Sequence, residues 1–175
     1  SAVKISKELP REVKRRGSSS AHARCLASSS MTMEHKQIII NETLISYATA
    51  GQGARALIFL HGWRSNKEAW ISVVEYMKNS GYRIFCIDLP GFGASETPKK
   101  PYTLHDYAET VRLFIEKLDL QTHAIIGHSA GARIAIKIAV ENPTLFDKLV
   151  LVASGGNHTP LINLKTMLAK ILKPF

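Results

Sequence analysis

The residues best placed to do chemistry are Gly127-His128-Ser129-Ala130-Gly131. They follow the apolar run Ala124-Ile125-Ile126 and precede Ala132-Arg133-Ile134. A serine with glycines two before and two after it reads as a strand, a sharp turn and the start of a helix. Both glycines have a steric reason: the chain reverses so tightly that a side chain at either place would strike the neighbouring strand or helix. Ser129 is then pushed out with its hydroxyl exposed at a helix N-terminus. The dipole and free N–H groups there favour developing negative charge. Gly-x-Ser-x-Gly also arises by chance in small-residue loops. The buried strand before this one and the Ala/Ile helix after it set it apart.

A serine hydroxyl is a poor nucleophile at pH 7. It needs a base to take its proton, an acid to orient that base, and two N–H donors aimed at the oxyanion of a tetrahedral intermediate. Ser129 supplies the nucleophile and the N–H of Ala130 one donor. The loop His61-Gly62-Trp63, after the apolar run Ala56–Leu60, offers the other through Trp63, and Gly62 lets its backbone come close. The Trp63 side chain suits either ordinary packing or an apolar wall for an acyl group.

Regular elements are expected to position these residues. Gln37–Ile40 and Thr43–Ala48 read as a hairpin around Asn41-Glu42. Ala56–Leu60 reads as a strand buried on both faces. Ser65-x-x-Glu68 has the capping-box pattern and opens a helix with Trp70, Ile71, Val73, Val74 and Met77 as its apolar positions, closed by Gly81. Arg83–Asp88 is a strand, and Leu89-Pro90-Gly91-Phe92-Gly93 a loop. Thr103-x-x-Asp106 caps a helix whose stripe is Leu104, Tyr107, Ala108, Val111, Phe114, Ile115 and Leu118. The elbow helix ends near Glu141, before Pro143. Lys148–Ala153 is a further strand. Strands alternating with helices over residues 56–153 predict an α/β fold with a doubly wound, mostly parallel sheet.

Three motifs stand in order: His61-Gly62-Trp63, then Asp88-Leu89-Pro90-Gly91-Phe92-Gly93-x-Ser95, then Gly127-His128-Ser129-Ala130-Gly131. Over residues 35–160 the chain resembles the α/β-hydrolase superfamily, in particular its carboxylesterase-like branch of pimeloyl-carrier-protein methyl esterases and related small serine hydrolases. The resemblance implies that Ser129 is the nucleophile and that Trp63 and Ala130 form the oxyanion hole. It also implies that His61 has a structural role, that His128 points out of the elbow away from the site, and that Asp88 holds a loop. Serine at 129, where some relatives carry aspartate, disfavours dehalogenase and epoxide-hydrolase chemistry. No metal or organic cofactor is implied.

In this family the acid and then the histidine follow the nucleophile on later strands. After Ser129 the chain offers Glu141, Asp147 and His158, and none has the expected place. The chain therefore reads as an α/β-hydrolase fold truncated after the sixth strand. Residues 1–30 form a disordered basic leader, 31–158 an incomplete core, and 159–175 the start of a cap helix. The sixth strand is then an uncovered, aggregation-prone sheet edge. The activity expected is cleavage of a carboxylic ester or related acyl bond through an acyl-serine, weak or absent in this chain alone. The alternatives are a non-catalytic ligand-binding homologue, or one half of a split enzyme completed by a C-terminal chain carrying the acid and the histidine.

Composition sets outer bounds. The 175 residues are 45% hydrophobic and 21% charged, as in a globular domain with a real core. The net charge is +9, of which residues 1–30 carry +5. The basic excess is thus concentrated in the leader, and no nucleic-acid partner is expected. The partner expected is a small-molecule acyl substrate. The basic amphipathic run Pro160–Pro174 is read as a packing helix, not a membrane anchor. The two cysteines, Cys25 and Cys86, suggest no disulfide framework, which fits a reducing, cytoplasmic setting.

Overall fold

A computed structural model describes residues 33–154. The leader, His158 and the cap helix lie outside these residues.

Strands β1 (Glu34–Ile40) and β2 (Thr43–Ala50) form the expected hairpin, with Asn41 and Glu42 both at positive φ in its turn. β3 (Arg55–Leu60) is followed by a 3-10 turn (Lys67–Trp70) and helix α1 (Ile71–Met77). β4 (Arg83–Ile87), α2 (Leu104–Lys117), β5 (Gln121–His128), α3 (Ala130–Glu141) and β6 (Lys148–Val152) complete the described chain. The strand order is β1-β2-β4-β3-β5-β6. β1 and β2 run antiparallel, and β4, β3, β5 and β6 are parallel. The fold is α/β, and the sheet is mostly parallel.

The period of two along the central strands builds two cores. Ala56, Ile58 and Leu60 of β3, Phe85 and Ile87 of β4 and Ile125 of β5 meet Val111 and Phe114 of α2 and Ile134 and Ile138 of α3. The alternate residues Leu57, Phe59, Ile84, Cys86, Ala124 and Ile126 meet Trp70 and Val74 on the other face. Burial pushes the Cys86 thiol up to about 12, so it stays protonated.

The first helical segment departs from the expectation. Asn66, not Ser65, caps it, its side chain accepting from the Glu68 N–H. Ile71 and Val73 are 45% and 39% exposed, whereas Trp70, Val74 and the half-buried Met77 face the sheet. The tighter winding of the opening 3-10 turn shifts the helical phase, so only one residue per turn reaches the core. The Thr103–Asp106 capping box forms in full, and of its expected stripe α2 buries Ala108, Val111, Phe114 and Ile115, while Tyr107 and Leu118 are half-buried and the exposed Leu104 faces a cleft. β6 pairs with no strand but β5 among the described residues, and Leu149, Val150, Leu151 and Val152 are all exposed. This is the uncovered edge anticipated above.

The carboxyl ends of β3 and β4 are tied by a buried ion pair. Asp88 is fully buried. It accepts from Lys67 Nζ at 2.6 Å, from the Lys67 backbone N–H at 2.7 Å and from the Ala94 N–H at 2.9 Å. Ser95 Oγ donates to the Asp88 carbonyl and accepts from the Ser46 N–H. Burial alone would lower the Lys67 pKa, but the hydrogen bond and charge of Asp88, with Glu68, outweigh it and hold the ammonium above its ordinary range. The stabilisation is therefore present below about pH 10.4 and is lost as pH rises further through the folded-state pKa. Lys67→Met leaves a buried carboxylate unpaired and is expected to cost about 3–5 kcal/mol in urea denaturation. Adding Asp88→Asn should recover part of that loss, because no unpaired charge then remains.

Candidate functional site

The site lies where the carboxyl ends of β3 and β5 meet the start of α3. Ser129 bridges β5 and α3 with φ 50° and ψ −108°, a sparsely populated conformation for a residue with a side chain. Its N–H donates to the Val152 carbonyl of β6 at 3.0 Å, so the edge strand braces the turn. A Cβ on Gly127 would lie 2.5 Å from the Gly131 carbonyl oxygen and 2.6 Å from the Ala132 backbone. A Cβ on Gly131 would lie 2.4 Å from the Leu60 oxygen and 2.6 Å from that of His61. The two glycines therefore let α3 back directly onto β5 and onto the end of β3.

That contact brings His61-Gly62-Trp63 alongside the serine. A Cβ on Gly62 would come within 3.4 Å of the Ser129 Cβ and 2.8 Å of His128 Nδ1. The Trp63 N–H has no acceptor among the described residues. Ala130 is the first residue of α3, so its N–H has no intrahelical acceptor. Trp63 and Ala130 line one cleft of about 200 Å³ with Leu89, Phe92, Tyr107 and Ile134. Trp63 is 64% exposed and its ring meets Phe92 edge-on at 4.9 Å, so it acts as wall more than as core.

His61 is fully buried. Its Nε2 accepts from the Leu89 N–H at 3.0 Å, which leaves Nδ1 to donate to the Gly62 carbonyl at 2.7 Å. Burial lowers its pKa, against the Gly62 hydrogen bond and the Asp88 charge, and the ring is neutral. His61 thus fixes the loop that carries Gly62 and Trp63 and has no free nitrogen for catalysis. Asp88, engaged as described above, likewise holds loops. His128, expected to point away, lies exposed with its ring beside Gly62, and it makes no hydrogen bond to Ser129 among the described residues. Burial, with Tyr102 nearby, raises the Tyr107 pKa, and its hydroxyl donates to the Pro90 carbonyl.

The remaining acids are elsewhere. Asp147 precedes β6 at the opposite end of the sheet, where it pairs with Arg55 and with His123 Nδ1 at 3.1 Å. Glu141 closes the twelve-residue α3, bonded to Lys137 and His105. That puts it roughly 18 Å along the helix from Ser129. Neither reaches the serine. Tyr102, Tyr107 and Arg133 line the cleft without having been singled out from sequence. For Arg133 a signal existed: it stands one helical turn after Ser129.

Residues 55–173 match the model of the α/β-hydrolase fold family. The chain belongs to this family. An uncharacterised hydrolase of Bacillus subtilis, YugF, is 33% identical over 105 residues, covering 59% of this chain and 38% of that protein. An uncharacterised protein of Mycobacterium tuberculosis is 32% identical over 111 residues, 63% of this chain and 32% of its own length. The chain thus spans between about a third and two fifths of these relatives. Among solved structures, the epoxide hydrolase CorEH superposes with a TM-score of 0.65 at 30% identity, over 69% of this chain and 42% of its own. A bacterial membrane phospholipase A does so with 0.68 at 25%, over 71% and 40%. This α/β-hydrolase chain has no described helix long and apolar enough to cross a membrane.

Two outcomes are expected. Ser129→Gly removes the backbone strain and should be about 1 kcal/mol more stable than Ser129→Ala in urea denaturation. His61 has a depressed folded-state pKa, so the unfolded chain binds more protons below about pH 6.5, and stability falls as pH drops through that value. Urea midpoints from pH 7 to pH 5 should slope less in His61→Gln than in the parent chain.

Proposed function

We propose that Ser129 is the nucleophile of a serine hydrolase acting on a carboxylic ester or related acyl bond. The observation that carries this reading is the strained, braced backbone of Ser129 next to Ala130 and beside the Gly62–Trp63 loop, where the N–H groups of Trp63 and Ala130 have no acceptor among the described residues and both residues line one largely apolar cleft. Ser129 Oγ bonds to the acyl carbon, the alkoxy C–O bond breaks, and the alcohol leaves with the serine proton. Water then attacks the acyl-serine, releasing the carboxylic acid and restoring the hydroxyl. The two N–H groups hold the oxyanion in both halves. A serine forms an ester intermediate and needs a base, and that base is supplied from outside residues 33–154. The epoxide hydrolase likeness thus extends to this chain as fold and not as substrate.

The test is incubation of the 175-residue chain with a p-nitrophenyl ester, with peptide mass mapping. Slow acylation of the Ser129 peptide is expected, with little turnover, and none in Ser129→Ala. Equal ester cleavage by both proteins removes Ser129 from the chemistry. Ligand binding in the cleft without acylation, even after a histidine-bearing C-terminal chain is added, would instead favour the non-catalytic binding protein.

A further inference from the structure

Among the described residues Arg133 is the single charged one lining the cleft beside Ser129; the other walls are apolar, aromatic or backbone. It stands one turn along α3 from the elbow, its N–H bonded to the Ser129 carbonyl at 3.3 Å. The side chain is exposed and has no carboxylate partner among the described residues. Arg55 and Arg112 are paired, with Asp147 and with Glu109 and Glu116, and Arg83 lies over the Phe85 ring; Arg64, beside Trp63, is exposed and lines neither hollow. A second hollow shares Trp63, Phe92, Tyr102 and Tyr107 with the first and adds Lys99 and Lys100. Among the described residues no acidic side chain lines either one, although Lys99 is paired with Glu42 at 3.7 Å. A lone guanidinium in a cleft of aromatic and apolar residues, with Lys100 on the adjoining hollow, is a receptor for a planar oxyanion, which it can hold by two parallel hydrogen bonds.

We propose that the compound handled at this site carries an anionic group, a carboxylate or a phosphate, held by Arg133 about one helical turn from the reacting carbonyl. The proposal rests on Ser129 marking the reacting end. An uncharged acyl chain of the same shape fills the same aromatic walls but leaves the guanidinium unmatched.

The test is binding, measured by tryptophan fluorescence in the Ser129→Ala chain so that acylation does not intrude. The probes are dimethyl adipate, monomethyl adipate and hexyl phosphate. At least about tenfold tighter binding of one or both anions than of the neutral diester is expected. The preference should vanish in Ser129→Ala/Arg133→Gln, survive in part with Arg133→Lys, and shrink at about 1 M salt. The stronger of the two anions identifies the group. Equal binding of all three, no binding of any at millimolar concentration, or a preference unchanged by Arg133→Gln each overturns the proposal. Because this readout does not involve the serine, anion selectivity without acylation of Ser129, even after a histidine-bearing C-terminal chain is added to the parent chain, would sink the hydrolase reading and leave the anion site standing. Acylation without anion selectivity would do the reverse.

Discussion

Gly127 and Gly131 leave no atom between α3 and the two strands it touches, and the whole site hangs on that contact. A methyl group at Gly131 would overlap the carbonyl oxygens of Leu60 and His61, the residues at which β3 turns into the Gly62–Trp63 loop. Packing the elbow helix therefore also sets the position of that loop relative to the serine. Gly127 does the same between β5 and the first turn of α3. Two missing side chains bring the hydroxyl, two backbone N–H groups and an apolar wall to one place, although they come from segments some sixty residues apart in sequence.

The loops that complete the cleft are held by buried polar groups. His61 spends both ring nitrogens on backbone partners, and Asp88 spends its carboxylate on Lys67 and Ala94. Partners of this kind are satisfied only when the loops have one conformation, since a buried polar group left unpaired is costly. The site is rigid by that logic on the β3 and β4 side. On the β6 side it leans on the single hydrogen bond from Ser129 to Val152, carried by an edge strand whose apolar side chains stand in the open.

Much of this was legible in the residues. The glycine spacing at 127 and 131, the continuous apolar run Ala56–Leu60, the strand read over Arg83–Asp88 and the Thr103–Asp106 box are local patterns, and local patterns fix local geometry. The first helical segment misled because Ser65 and Asn66 are both good caps, and only the 3-10 start decides between them. Ile71 and Val73 look like core residues by type, and their exposure follows from a phase that type does not encode. The Lys67–Asp88 pair joins residues twenty-one apart across two loops, so no periodicity announces it. Arg133 was hidden for the opposite reason: an arginine in the polar rhythm of a helix looks like ordinary surface until it is seen to share one cleft with Trp63 and Tyr107.

The Lys67–Asp88 pair also sets how this end of the molecule responds to heat. The hydration that two free ions give up on burial grows less favourable as temperature rises, so the cost of keeping them dry falls, while apolar burial gains little more. The knot joining the ends of β3 and β4 should then loosen later on warming than the purely apolar contacts around α1. The serine would keep its neighbours into a range where the far side of the sheet has begun to soften.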